Sequence, residues 1–173
     1  MPEPCGTMGR REDVMPASRP ELEKALEASI LMEMQAMHLY TILAGLSVNA
    51  DAQRILRFLA EMEESHVARL VEMFPGGRKD PAEAMARVDM VKAFREDAWA
   101  QHKARLAGAG ITDASPADDY LVFAATGEAH AQKHYERLSA DAEEPALKEL
   151  FRTLALEAAN HGGQIRRGRR PLS

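Results

Sequence analysis

The chain contains an internal repeat, which limits its fold more than any other feature of the sequence. When the sequence is shifted by 95 residues, its two halves align without a gap. Apolar matches arise between any two amphipathic helices, but identical polar residues on matching faces indicate a duplication. The chain is therefore predicted to contain one structural unit twice. Three polar residues of the first half fall on identical residues of the second: Glu33 on Glu128, Tyr40 on Tyr135, and His66 on His161.

The apolar residues of each half recur at helical spacing, which predicts long helices and no strand. The expected helices lie at about 18–46, 51–74, 116–139 and 144–166. A carboxylate is a favourable helix cap, so Asp51 is expected to cap the second helix. Pro75, Gly76 and Gly77 then end that helix, because proline and glycine interrupt helical structure.

The connections between the predicted helices indicate how they pack. A short link joins the first two helices and another joins the last two, so each pair is expected to form an antiparallel hairpin. The long segment 75–115 joins the hairpins and contains a helix of its own, with Trp99 as its predicted anchor and His102 on the same face. Two hairpins joined by one long crossover have the connectivity of ferritin-like four-helix bundles. The fold class is therefore predicted to be all-α.

The bulk properties of the chain argue against several other classes. Its 173 residues fit one domain, predicted at 19–167 between a flexible arm at 1–18 and a basic tail at 168–173. The net charge of −5 gives no reason to expect a nucleic-acid partner. Cys5 is the single cysteine, so neither an internal disulfide nor a cysteine-based metal site is expected. Without a signal pattern or an apolar run of membrane-spanning length, we expect a cytoplasmic protein with no membrane partner.

Acidic residues on apolar faces are the chemically informative part of the repeat. Glu33 and Tyr40 are seven residues apart, and Glu63 and His66 are three apart, so each pair shares one face of its helix. An ionised carboxylate in a dry core costs on the order of several kcal/mol unless it is paired or bound to a metal. Together with their equivalents in the second half, these carboxylates and imidazoles could hold a divalent cation such as iron, manganese or zinc.

These motifs resemble those of the rubrerythrin branch of the ferritin-like superfamily. In that family each helix pair supplies a Glu with a Tyr seven residues later and then Glu-x-x-His, here over residues 20–74 and 116–167. The resemblance implies a di-iron site in which Glu63 bridges the metals. It also implies that Tyr40 and Tyr135 form hydrogen bonds that orient the carboxylates. The implied ligands are Glu33, Glu63, His66, Glu128 and His161.

The second half departs from the family pattern at the equivalent of Glu63, which is Ala158. The second bridging carboxylate is therefore missing, although the neighbouring Glu157 could supply it through a one-residue π-bulge. The aligned apolar residues upstream indicate instead that this helix stays in register. Rubrerythrins also carry a Glu where this chain has Ala131, and full-length members carry a rubredoxin-like iron site, for which the cysteines are lacking here.

The histidines outside the implied ligand set are expected at the periphery. His38 and His134 lie on flanking helix faces and are predicted to be solvent-facing or rim residues. His130 is nearer to the face of Glu128, but residues two apart on a helix do not face each other well.

Three functions are consistent with this pattern. The first is a metal-binding, iron-dependent oxidoreductase that reduces peroxide or oxidises ferrous iron at an incomplete di-iron site, with Glu157 or a solvent-derived bridge completing it. Such an enzyme holds one or two ions, with iron expected and manganese or zinc as alternatives, and its redox cycle needs an external electron donor. The second is a helical binding or assembly module without catalysis, and the third is a ferritin-like hydroxylase. By resemblance, a homodimer or a larger homo-oligomer is expected.

Overall fold

The computed structural model describes residues 19–73, 102, 104–112 and 114–168. Within these ranges the chain is helical and contains no strand, so the predicted all-α fold is confirmed. The ends of the long helices differ from the predicted ones by at most two residues. The predicted arm at 1–18 and the basic tail after residue 168 lie outside the described residues. The four long helices are α1 (Arg19–Leu46), α2 (Ala50–Glu72), α3 (Ala117–Asp141) and α4 (Pro145–Gly168).

The helices pack as two hairpins. α1 lies mainly against α2, and α3 mainly against α4, through links of three residues at 47–49 and 142–144. The hairpins then contact each other where α2 meets α4, where α1 meets α3 and where α2 meets α3. This arrangement is a ferritin-like four-helix bundle, in which each hairpin supplies two walls of a common interior.

The start of α2 differs from the prediction. Asp51 was expected to cap the helix, but the cap is Asn49. Its side-chain oxygen accepts hydrogen bonds from the backbone amides of Asp51 and Ala52 at 2.9 and 3.0 Å. The carboxylate of Asp51 instead pairs with Arg54 on the helix surface at 2.7 Å. Asparagine and aspartate are equally good caps, so the local backbone path selected between two adequate candidates.

Only the end of the crossover belongs to the described residues, and the predicted anchor Trp99 lies outside them. Residues 104–108 are helical, and Gly110 follows with a φ of 72°, a conformation that glycine adopts at little cost. The amide of Ile111 reaches back to the carbonyl of Leu106 at 2.8 Å, which closes the helix end. Both of these apolar side chains are buried, so the crossover docks on the bundle here.

Two apolar clusters fill the bundle and leave a gap between them. Along each long helix, about one to three turns separate the buried residues of one cluster from those of the other. Apolar packing at both levels therefore holds a layer of different composition in the middle. The first cluster includes Leu43, Leu56, Leu121 and Ile165, together with the docked end of the crossover. The second includes Leu26, Ile30, Leu70, Phe151 and Leu154.

The outer faces of the helices carry charged residues. On α2, for example, Arg54, Glu61 and Glu64 are exposed while Leu56 and Leu59 are buried. This one-sided distribution is typical of helices at the surface of a bundle. In the part of the chain that the structure describes, no helix is both long enough and apolar enough to cross a membrane.

Candidate metal centre

The layer between the two apolar clusters is polar and almost fully buried. It contains three carboxylates and two imidazoles, contributed by all four long helices. Their residues are only 2–4% exposed. The structure thus brings together, in the interior, the five residues that the sequence suggested as ligands: Glu33, Glu63, His66, Glu128 and His161.

Glu63 lies at the centre of this layer. Its Oε2 atom is 2.8 Å from Nδ1 of His66, and its Oε1 atom is 3.9 Å from Nδ1 of His161. The same two nitrogens face the outer carboxylates, with 3.5 Å between His66 and Glu33 and 3.4 Å between His161 and Glu128. The two oxygens of Glu63 therefore point toward different histidines, as those of a bridging carboxylate would.

The donor atoms form two possible cation sites that share Glu63. One consists of Glu33, Glu63 and His66 and the other of Glu63, Glu128 and His161, with the donor atoms of each within 4.8 Å of one another. Nδ1 of His66 and Nδ1 of His161 are buried and make no hydrogen bond of favourable geometry with the described residues, although carboxylate oxygens lie near both. Buried polar atoms normally have partners, and a cation between these groups would provide one. Carboxylate and imidazole donors fit iron, manganese or zinc.

Two tyrosines connect the hairpins through crossed hydrogen bonds. The Tyr40 hydroxyl on α1 donates to Oε1 of Glu128 on α3 at 2.7 Å. The Tyr135 hydroxyl on α3 donates in turn to Oε1 of Glu33 on α1. Burial, and then the nearest of these carboxylates, raises the pKa of each phenol well above its usual value, so both stay protonated as donors. Each outer carboxylate is therefore held in position by the opposite hairpin.

The carboxylates of the layer differ in their affinity for protons. Burial, followed by the charges of Glu33 and Glu128, raises the pKa of Glu63 to about 12. Burial alone also raises the pKa of Glu33, but the proximity of His66 and Glu63 outweighs it, so that this pKa lies below its usual value. Without a cation, the central carboxyl is therefore neutral at neutral pH. A cation would replace its proton, because ligands bind metals in their deprotonated form.

Glu157, the suggested substitute bridge, belongs to neither of the two donor groups. Its Oε2 atom lies 3.2 Å from Nε2 of His66, on the side of the ring away from Glu63. Arg69 holds the same carboxylate with both terminal nitrogens. α4 stays helical through this region without a π-bulge, so Glu157 does not turn toward the layer. It instead contacts the nitrogen of His66 that a metal would leave free.

Ala158 occupies the position where the repeat would place a second bridging carboxylate. It is buried, with 2% of its surface exposed, and belongs to neither apolar cluster. It precedes His161 by one helical turn, as Glu63 precedes His66, so the two positions are equivalent in the fold. The rings of His66 and His161 stack on each other in the polar layer, with centroids 5.6 Å apart.

A cavity of about 110 Å³ between α1 and α3 reaches the polar layer. Its inner lining includes all three carboxylates and the hydroxyl-bearing Tyr40. The exposed residues Arg105 and His130 also line it, so the cavity extends to the surface. Ala131 is part of the lining, where rubrerythrins are expected to carry a Glu. The absence of that side chain leaves space next to the carboxylates for a small molecule.

The family comparison agrees with this geometry. The rubrerythrin family model matches residues 24–110, half of the chain. The chain belongs to the rubrerythrin family. The match covers α1 from residue 24, all of α2 and the crossover as far as Gly110. It includes Glu33, Tyr40, Glu63 and His66. Neither a curated protein nor a solved structure matches the chain. The rubrerythrin match ends before α3. The observations that relate α3 and α4 to the family's arrangement are therefore the internal repeat and the hydrogen bonds between the two hairpins.

Three residues near the centre have contacts that the sequence did not predict. Arg69 was not identified, because an arginine on the outer part of a helix usually points to solvent. Ser29 is fully buried and was not identified, because serine is common in helices without any role. His134, expected at the solvent or the rim, is partly buried as a rim residue would be, but its contact with the Ser29 hydroxyl at 3.1 Å was not predicted. The only sequence signal for all three was their helical spacing from the predicted ligands.

Proposed function

We propose that this rubrerythrin-family protein binds iron at two positions that share Glu63, and that it acts as an iron-dependent oxidoreductase. The reaction class is peroxide reduction or ferrous iron oxidation. The observation that carries the proposal is the pair of buried donor groups with one common carboxylate, whose oxygens point to different histidines. An apolar scaffold would have no reason to bury three carboxylates beside two imidazoles whose Nδ1 atoms lack hydrogen-bond partners.

The charge of the donor set predicts unequal occupancy of the two positions. Three carboxylates carry −3 when all are ionised, which overcompensates one divalent ion but falls short of the +4 of two. Family members with a second bridging carboxylate would not have this deficit, and here Ala158 takes that position. We therefore expect a first ion to bind tightly and a second to bind more weakly, with a solvent-derived bridge supplying negative charge.

The protein's own residues would prepare the site for redox chemistry. Bound iron would supply the change of oxidation state. Tyr40 and Tyr135 hold the outer carboxylates from the opposite hairpin, so these ligands keep their positions when the charge between them changes. The cavity between α1 and α3 is large enough for a molecule the size of peroxide. Electrons would have to come from an external donor, because the chain lacks the cysteines of a rubredoxin-like site.

Metal titration tests the proposal directly. Anaerobic addition of ferrous iron to the metal-free protein, followed by metal analysis of the desalted complex, should give more than one ion per chain. Mössbauer spectroscopy after oxidation should then show coupled ferric ions. Glu63→Gln should reduce binding at both positions, because the amide cannot bridge two cations. The matched control is Glu64→Gln, which changes the exposed neighbouring residue and should bind iron like the wild type.

The outcomes separate the proposal from its main alternative. If wild type and Glu63→Gln both bind no iron, the chain is a helical binding or assembly module and the oxidoreductase proposal is wrong. If the wild type binds one uncoupled ion that Glu63→Gln removes, the chain is a mononuclear metal protein. Peroxide consumption with a chemical reductant, present in the wild type and absent in Glu63→Gln, would support the reaction class.

A further inference from the structure

A charged pair next to His66 joins α2 to α4. Arg69 on α2 donates from both terminal guanidinium nitrogens to the carboxylate of Glu157 on α4, with 3.3 Å between Nη1 and Oε1. The planar guanidinium presents two parallel N–H groups, which match the two oxygens of a carboxylate. Each side chain is 30% exposed, so solvent screens this pair less than it screens the exposed pair of Arg152 and Glu149. The pair therefore fixes the direction of the Glu157 carboxylate.

The carboxylate that Arg69 holds lies against the imidazole of His66. Its Oε2 atom, which accepts from Arg69, is also 3.2 Å from Nε2 of the ring. The other ring nitrogen, Nδ1, is 2.8 Å from Glu63 and 3.5 Å from Glu33. A half-turn of the ring about its Cβ–Cγ bond would put a carbon atom in the place of Nδ1. The orientation of this ring therefore decides whether a nitrogen faces the polar layer.

The repeat shows that the charged pair belongs to one half alone. The residue of the second half that is equivalent to Arg69 is Gln164, and the residue of the first half that is equivalent to Glu157 is Met62. Gln164 is exposed and Met62 is partly buried. The fold therefore accepts uncharged residues at both positions, so the packing of α2 against α4 does not by itself require an arginine and a glutamate.

We propose that Arg69 is a positioning residue for His66, which acts by holding Glu157 against the outer side of the imidazole. Among the described residues, Arg69 makes its hydrogen bonds and its ion pair with Glu157 and with none of the three carboxylates of the layer. Its influence on the layer therefore passes through Glu157. Without Arg69, the partly exposed carboxylate turns to water, and the ring loses the contact that keeps Nδ1 directed inward.

The consequence of this positioning for metal binding rests on the proposed function. A histidine that is already turned toward the layer loses less orientational freedom when a cation binds, so it binds the cation more tightly. The charges of Arg69 and Glu157 are opposite, so the pair orients the ring without adding net charge next to the site. An outer partner of this kind contributes about 10–100-fold to metal affinity, here at the position that includes His66.

Zinc titration of a set of variants measures this contribution without any redox chemistry. Arg69→Met and Glu157→Gln should each weaken the tighter position by about 10–100-fold. The double variant should bind no more weakly than Glu157→Gln, because both changes remove the same interaction. Arg69→Lys keeps the charge but lacks the two parallel donors, so its affinity should lie between those of wild type and Arg69→Met. Arg152→Met removes the arginine of a pair that touches no histidine, and this control should bind zinc like the wild type.

A second measurement needs no metal. In protein labelled with carbon-13 and nitrogen-15 at its six histidines, NMR signals of the His66 ring report the orientation of that ring. These signals are identified by their loss in His66→Gln. In Arg69→Met and in Glu157→Gln they should shift or broaden alike, because the ring then takes more than one orientation. In Arg152→Met they should match those of the wild type.

Two results would overturn the role of Arg69. If Arg69→Met leaves the zinc affinity or the His66 signals unchanged, Glu157 keeps its position unaided. If the losses of the two single variants multiply in the double variant, Arg69 acts on the site independently of Glu157. Failure of the proposed function is a separate result. A chain that binds zinc as expected but shows no iron chemistry keeps the role of Arg69 and loses the oxidoreductase. In a chain that binds no metal, the proposed function fails and the His66 signals alone decide the positioning role.

Discussion

The two histidines of the centre occupy equivalent positions in the repeat but have different surroundings. His66 has Glu157 at 3.2 Å from its Nε2 atom, and Arg69 fixes that carboxylate. His161 has the edge of the Phe58 ring nearby instead, with centroids 6.5 Å apart. The residue of the first half that is equivalent to Glu157 is Met62, so this difference between the halves is already present in the sequence.

Four of the five proposed ligands form two identical pairs in the repeat. The two halves differ instead in the residues that contact the far side of each histidine ring. A carboxylate on the far nitrogen orients a histidine ring and makes it a better donor to a metal. The position formed by Glu33, Glu63 and His66 is therefore expected to bind metal more tightly than the position formed by Glu63, Glu128 and His161.

Among the predicted effects, the influence of the shared Glu63 carboxyl group on the pH dependence of stability should be the largest. Because the pKa of Glu63 is about 12 when folded and near 4.5 when unfolded, the folded metal-free chain binds more protons than the unfolded chain at intermediate pH. Stability should therefore fall as pH rises, by up to about 1.4 kcal/mol per pH unit. Urea unfolding of metal-free protein between about pH 7 and pH 9 measures this slope. Glu63→Gln should remove most of it.

The pH range of that measurement matters because a histidine acts in the opposite direction. Burial, with smaller effects of His38 and Arg105, lowers the pKa of His102 to about 4, so this residue makes stability rise with pH up to about 6.5. Above that value its contribution is constant and the slope belongs to Glu63. A Glu63→Gln protein with the same slope as wild type would show that another group holds the proton.

Restoring the missing carboxylate should reduce the difference between the halves. Ala158→Glu adds a direct ligand opposite Glu63, so the second metal should bind more tightly by more than the roughly 100-fold that outer hydrogen-bond partners contribute. Isothermal titration with zinc or ferrous iron would measure both affinities. An unchanged second affinity would mean that residue 158 does not face the site. Ala158→Gln, which adds similar volume without charge, is the matched control.

Removing the carboxylate behind His66 should also make the halves more alike, by weakening the first. Glu157→Gln should lower the affinity of the tighter position by about 10–100-fold and leave the weaker position unchanged. Glu149→Gln is the matched control, since Glu149 also lies on α4 and pairs with an arginine, Arg152, but touches no histidine. Equal losses at both positions would contradict the assignment of Glu157 to His66 alone.

The smallest predicted difference is that between the stability losses caused by removing the two tyrosine hydroxyl groups. Tyr40→Phe and Tyr135→Phe each remove a buried hydrogen bond to a carboxylate, which should cost about 1–3 kcal/mol in the metal-free protein. The two losses should agree to within about 1 kcal/mol, because each hydroxyl donates to one outer carboxylate of the opposite hairpin. Thermal or urea unfolding of both variants at one pH measures this difference. A difference of more than about 2 kcal/mol would show that the two crossed hydrogen bonds are not equivalent.

The sequence by itself determined the fold and the content of the polar layer. Helical spacing of apolar residues set the four long helices to within two residues of their ends, because burial of one helix face is a local, periodic requirement. The repeat identified four of the five buried donors, because polar residues break that periodicity at matching positions, and the three-residue spacing from His66 identified Glu63. The same argument located the missing carboxylate at Ala158, a residue that proves to be buried at the level of the layer.

Only the tertiary structure decided which other residues contact those donors. The hydrogen bonds of Tyr40 and Tyr135 to the opposite hairpins, the contact of Glu157 with His66, and the contact of Ser29 with His134 join residues about 90 or more positions apart in sequence. Such contacts depend on how far one helix is displaced along its neighbour and how each is rotated about its axis. Periodicity within a single helix carries no information about either quantity, because packing between helices sets both.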